Sequence, residues 1–281
     1  MAQVVAAALC AVAVRAQLAL FRGFDVMVAA VVTIASEITC ALGIWFPSLG
    51  WYGTAVAVVV STIVTAGVML VWNRFIAGWM RDSAHRGTGL LVISLFCTTA
   101  ISGLIGLARG PGLISAPWPD VGLQRPDGSS LSAATLFACA MGVMLIAALA
   151  AARRSRQGFA LELWAQDRSF AREIGISETN LVGFSGIAVA LAASAVGVWS
   201  GLSNGSTPEV GLGYFLTGAG GALLVSGPRL ASAAIGGAVI GVAVFMLQLW
   251  LSPAQTNMLL FFAIAVFLIA RGSGRAEQSV R

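Results

Sequence analysis

The chain has 281 residues, 58% of them hydrophobic and 10% charged, with sixteen basic against eleven acidic side chains and a net charge of +5; its mean hydropathy is +0.92. Soluble domains carry about 25% charged residues, so this composition belongs to an integral membrane protein, with room for about nine helical spans of about 20 residues each and for no sizeable soluble domain. Every basic residue is arginine, which excludes the Walker A phosphate loop with its lysine, and the positive excess reads as loops obeying the positive-inside bias, not as nucleic-acid binding.

In chain order the apolar runs are Ala2 to Phe21, Val26 to Phe46, Tyr52 to Val71, Thr88 to Ala108, Leu131 to Ala152, Leu181 to Ser200, Gly211 to Ser226, Leu230 to Leu251 and Asn257 to Ala270. The first lacks a basic n-region and carries Arg15 late, which predicts a retained span, not a secretory signal. Gly211 to Ser226 has sixteen residues, five of them glycine, and reads either as a short crossing or as a re-entrant or broken helix. The expected fold is therefore all-α: one polytopic helix bundle over residues 1–281 with eight or nine spans.

Arginines near span ends set the orientation. Arg74, Arg81 and Arg86, then Arg153, Arg154, Arg156, Arg168 and Arg172, then Arg271, Arg275 and Arg281 mark three cytoplasmic regions. The segments Arg109 to Ser130 and Gly201 to Pro208 then face the exterior, and the protein sits in the cell membrane, plasma or bacterial inner. Trp45, Trp51, Trp72, Trp79, Trp118, Trp199 and Trp250 lie near span ends, as an interfacial belt requires. Cys10, Cys40, Cys97 and Cys139 lie singly in apolar runs and read as packing residues; His85 reads as a solvated loop residue. Gly183, Gly186, Ala190, Ala193 and Gly197 are small enough to be helix contacts, and Gln248 with the turn Ser252 to Asn257 reads as a span edge.

The cytoplasmic loop over residues 153–180 mixes charges of both signs with apolar residues at helical spacing. Leu161, Trp164, Arg168 and Ala171 form one semi-apolar stripe, and Gly175 is placed to end that helix in left-handed geometry. Glu162, Asp167 and Glu173 disfavour an anionic lipid surface, so a protein-docking helix is expected. The run Gly158 to Ser177, GFALELWAQDRSFAREIGIS, resembles the coupling loop of ABC importer permeases of the branched-chain-amino-acid superfamily, closest to the tryptophan/tyrosine-type branch with its pattern G-x-A-L-R-A-x-G-x-N-x-x-x-A-R-x-x-G-I-N. Phe21 to Asp25 resembles that family's F-R-x-x-x-F-x-D-L-T element.

The resemblance implies a permease subunit that imports a small, amino-acid-like solute beside a second permease copy or sister subunit. It also implies a cytoplasmic ATPase dimer carrying ATP and Mg, no cofactor on this chain, and an extracytoplasmic solute-binding protein. By the same resemblance Gly158, Ala160, Leu161, Asp167, Ala171, Arg172, Gly175 and Ile176 belong to the ATPase contact. Glu162, Trp164, Ala165 and Asp167 depart from the pattern and bear on which ATPase is selected.

Glu37 is the clearest ionisable residue within a span, and such a charge needs a partner or water. With Thr33, Ser36, Thr39 and Cys40 it makes a polar-tinged face that either lines a solute path or is structural; Arg15 is its candidate partner or snorkels to headgroups. Asp25 and Arg22, at the junction of the first two runs, are either a substrate gate or a hydrated loop pair. A self-sufficient carrier or channel using Glu37 is the rival reading, and an intramembrane enzyme ranks last because no catalytic constellation is visible.

Overall fold

In lipid a backbone must satisfy its own hydrogen bonds, and the apolar runs accordingly fold as helices. The computed structural model describes residues 2–46, 50–79, 86–116, 118, 120–124, 130–225 and 229–278; His85 and Arg81 lie outside them. The order is α1 (Ala2–Phe21), α2 (Met27–Trp45), α3 (Gly50–Trp79), α4 (Arg86–Arg109), β1 (Asp120–Gln124), β2 (Ser130–Ser132), α5 (Ala133–Arg154), α6 (Arg156–Gln166), α7 (Arg168–Glu173), α8 (Glu178–Ser203), α9 (Val210–Leu224), α10 (Leu230–Gln248) and α11 (Pro253–Gln278). Among the described residues, α1, α2, α3, α4, α5, α8 and α10 are long and apolar enough to span, and Val210–Leu224 and Pro253–Val266 are shorter apolar helices. The chain is an all-α membrane helix bundle. The antiparallel ribbon of β1 and β2 is not foreseen in the sequence; it lies outside the spans, where water can meet its open edges.

The bundle has a tight core and a loose periphery. In the apolar windows of α1 and α8, 72% of residues are buried, against 17% in α4 and 6% in α5. Small residues explain the difference, because they let backbones approach closely. A Cβ on Gly197 would overlap the Val32 carbonyl of α2, one on Gly201 would meet the Ser36 carbonyl, and one on Gly237 or Gly241 would strike α1 around Ala7. The predicted contact positions Gly186, Ala190, Ala193 and Gly197 are all packed, whereas Gly183 has open space beside it and is not a contact.

The short helix α9 starts inside the bundle. Gly211 N–H donates to Thr33 Oγ1 at 3.1 Å, and a Cβ there would overlap the Ala29 carbonyl. Thr33 lies twelve residues from the end of α2 at Trp45, about 18 Å along the helix. The α10–α11 turn is closed by a reciprocal cap, Ser252 N–H to Gln255 Oε1 at 2.9 Å and Gln255 N–H to Ser252 Oγ at 3.4 Å, with Pro253 at the first helical position. Trp45 and Trp250 are exposed, as belt residues should be, but Trp72, Trp164 and Trp199 are buried; Trp72 and Trp199 belong to the packing, not to the belt.

Candidate functional site

At the arginine-rich end, the loop between α5 and α8 is a folded unit. Ser155 caps α6, accepting from Gly158 N–H at 3.0 Å, and a Cβ on Gly158 would overlap the Ala152 carbonyl, so α6 turns sharply off α5. The sequence predicts a single helix through the stripe, but it breaks at Asp167. That residue is extended (φ −140°, ψ 106°) and its carboxylate accepts from Ser169 N–H at 2.9 Å and Phe170 N–H at 3.1 Å, starting α7 afresh. The Ser169 hydroxyl, followed by the Phe170 N–H, holds the Asp167 carboxyl below its ordinary range.

The stripe survives the break. Leu161, Trp164 and Ala171 are buried. Two guanidinium groups lie over the Trp164 ring, Arg168 at 5.6 Å and Arg172 at 5.5 Å from its centroid, within cation–π range. Arg168 also donates to the Leu20 carbonyl near the end of α1, where a helix C-terminus favours a cation. Gly175 ends α7 at φ +82°, with Gly175 N–H to the Arg172 carbonyl and Ile176 N–H to the Ala171 carbonyl, both at 3.0 Å. That is a Schellman cap, and it realises the helix end expected from the sequence.

The structure sorts the residues assigned to this loop by resemblance. Gly158, Leu161 and Ala171 face the bundle, Ala160 and Ile176 are half-buried, and Asp167, Arg172 and Gly175 are exposed. Arg172 pairs with Glu178 at 3.2 Å, an exposed contact of small energetic weight. Three large apolar side chains that sequence reasoning passed over stand on the surface: Phe159 at 64%, Phe170 at 49% and Ile174 at 51% exposure. They lie off the buried stripe and beside acidic residues, and that combination is the sequence signal by which they were available.

At the opposite end, Glu37 on α2 meets Arg109, the last residue of α4, and not Arg15. Its Oε1 accepts from Arg109 Nη2 and from the Ser206 hydroxyl. Arg109 also donates to the Ser206 carbonyl at 3.1 Å and the Gly112 carbonyl at 2.7 Å. Ile114 and Ser206 exchange backbone hydrogen bonds of 2.9 and 2.7 Å, and Cys40 Sγ lies 3.5 Å from the carbonyls of Ile114 and Gly201. Gly205, at φ +78°, makes room for this approach, since a Cβ would overlap the Ile114 carbonyl. The segment after α4 is thus latched over Glu37.

The other residues expected along a pathway are placed differently. Thr33 is buried and holds the start of α9. Asp25 is buried, accepting from Met27 N–H and from Trp72 Nε1–H, each at 3.0 Å, and so ties the start of α2 to α3. Burial pushes its pKa up to about 6, against these two hydrogen bonds. Arg22 is exposed at φ 56°, and its charge helps to lower Asp167 instead of meeting Asp25.

The two ends share α1. Near its arginine-rich end the Leu20 carbonyl receives Arg168, and near its other end Gln3 Nε2 donates to Gln248 Oε1 at 2.8 Å. No family model, curated protein or solved structure matches the chain.

Proposed function

We propose that this chain is the transmembrane permease subunit of an ATP-driven importer for a small organic solute, working with a cytoplasmic ATPase dimer, a second permease subunit and an extracytoplasmic solute-binding protein. One observation carries the reading: the loop over residues 153–180 is capped at its helix starts, anchored on Trp164, bonded to α1, and yet presents Phe159, Phe170 and Ile174 to the surface. A loop that served only to connect α5 and α8 would not need to be rigid and apolar at once. On this reading the ATPase seats those three side chains, and its nucleotide-driven closure pushes α1 through the Arg168–Leu20 contact. The rival self-sufficient carrier would need Glu37 free for an ion, but its carboxylate is engaged by Arg109 and Ser206.

The test is co-purification of the tagged full chain from mild detergent, wild type beside a Phe159→Asp/Phe170→Asp variant. Both replaced residues are exposed, so the fold is expected to survive. The expected result is an ABC ATPase that accompanies the wild type and is lost with the variant. A correctly inserted wild type that brings down no ATPase in its native membrane would sink the importer reading.

A further inference from the structure

A cavity of about 550 Å³ with both polar and apolar walls lies at the end of the bundle away from the arginine-rich loop, between the start of α1, the α8–α9 connection, α9, the end of α10 and the start of α11. Its volume lies within the range of small-molecule sites, about 300–1,000 Å³. The walls are unusual for so apolar a chain. Asn204, Thr207, Tyr214, Gln248 and Asn257 present neutral donors and acceptors, and Glu209 is the one charged side chain among the lining residues. Glu209 makes no ion pair among the described residues; the two pairs there are Arg109 with Glu37 and Arg172 with Glu178.

The polar groups are held by helices and by one another. The Tyr214 ring stands edge-on to Trp199, with centroids 6.2 Å apart and planes at 73°. Gln248 is fixed by Gln3 across the rim. A Cβ on Gly213 would sit 3.1 Å from Asn257 Nδ2, so the glycine lets α9 lie close against that amide. Thr217 turns its hydroxyl back to the Gly213 carbonyl at 2.9 Å, leaving Ala7 and Val244 as apolar floor. Amides gathered around a single carboxylate with no ion pair among the described residues suit a ligand of opposite charge.

We propose that this cavity receives the transported solute, that the solute carries a protonated amine, and that Glu209 is the residue that pairs with it. The amides and the Tyr214 hydroxyl then bond the solute's neutral polar groups. A solute bearing only negative charge meets no cation among these walls and is repelled by Glu209. The direction of transport rests on the importer reading above; the binding chemistry does not. A phosphatidylethanolamine headgroup offers the same amine, so the test separates the two sources.

The full chain is placed in nanodiscs of phosphatidylglycerol, which has no amine, and titrated at pH 7 by ligand-observed NMR with norvalinol, a cation, and pentanoate, an anion on the same five-carbon skeleton. Norvalinol is expected to bind saturably and pentanoate not. Glu209→Gln should weaken norvalinol about tenfold or more, with thermal stability unchanged because the side chain is exposed. Equal binding of both probes, no norvalinol binding to the wild type, or unaltered affinity in Glu209→Gln overturns the assignment. Loss of norvalinol binding when half the lipid is phosphatidylethanolamine gives the site to the headgroup and also overturns it. ATPase co-purification with Glu209→Gln is expected to be intact. Amine binding without any ATPase would remove the importer and leave the site, and the converse result would remove the site and leave the importer.

Discussion

Arg109 at one end of the bundle and Arg168 at the arginine-rich end each reach out of their own helix to hold another part of the chain, but against different kinds of partner. Arg109 meets a carboxylate, Glu37, with both side chains about 15% exposed. Arg168 meets a backbone carbonyl and the face of an indole. The first contact is an ion pair drawn out of water, in which each charge is tolerable only with the other present. The second centres on a fully buried indole, so packing around Trp164 carries much of its stability. The Glu37–Arg109 latch should therefore fail through an orphaned charge, and the Trp164 anchor through a cavity.

The largest effect is expected from Trp164→Ala, which removes a fully buried indole and the platform for two arginines, at a cost of about 4 kcal/mol. Limited proteolysis should then cut between residues 154 and 178 under conditions that leave the wild type whole. Unchanged resistance would mean that the loop is held by something other than its tryptophan. Arg109→Ala should cost about 3 kcal/mol by leaving Glu37 uncompensated, read as a lower unfolding temperature in detergent. Adding Glu37→Gln should recover most of that loss; a double variant no more stable than Arg109→Ala alone would show that the two ends do not differ as described.

The smallest effect concerns Asp167, whose folded pKa lies below its ordinary value. Its capping contribution is present above the unfolded pKa of about 3.9 and is lost as the pH falls through the lower folded value. Asp167→Ala should accordingly loosen the loop to proteolysis at pH 7. Against an acid-active protease, the gap between the wild type and the variant should narrow as the pH falls below the unfolded value of about 3.9. A gap that does not change with pH would separate the effect of the substitution from the charge of the Asp167 carboxylate.

Much of this architecture is legible in residue order, because spans are contiguous and their signals local. Gly175 could be placed at a helix end because a glycine after an amphipathic stretch is a local pattern, and it closes a Schellman cap. The partner of Glu37 was not legible: Arg109 is 72 residues away, and the only basic residue in a neighbouring run, Arg15, drew the inference. The capping role of Asp167 was not legible, because a capping aspartate and a surface aspartate look alike inside a stripe whose apolar period continues through the break. Trp72 and Trp199 sit at interfacial positions by sequence; Trp72 is turned inward by a bond to Asp25, and Trp199 by edge-on packing against Tyr214.

The composition of α1 has a mechanical consequence. Its sequence, AQVVAAALCAVAVRAQLALF, contains neither glycine nor proline, while α9 and α10, which lie against it, read VGLGYFLTGAGGALL and LASAAIGGAVIGVAVFMLQ. The first is a stiff shaft about 30 Å long. The other two turn glycines toward it at Gly218, Gly237 and Gly241, a bearing surface with few side-chain ridges to interlock. Axial sliding of such a shaft meets low steps, whereas bending it costs backbone hydrogen bonds. A tilt of about 5° imposed at Leu20 would displace Gln3 by about 2.2 Å over the distance of about 25 Å between them, comparable to the reach of the Gln3–Gln248 bond, and would be delivered to the far end of the bundle nearly undamped.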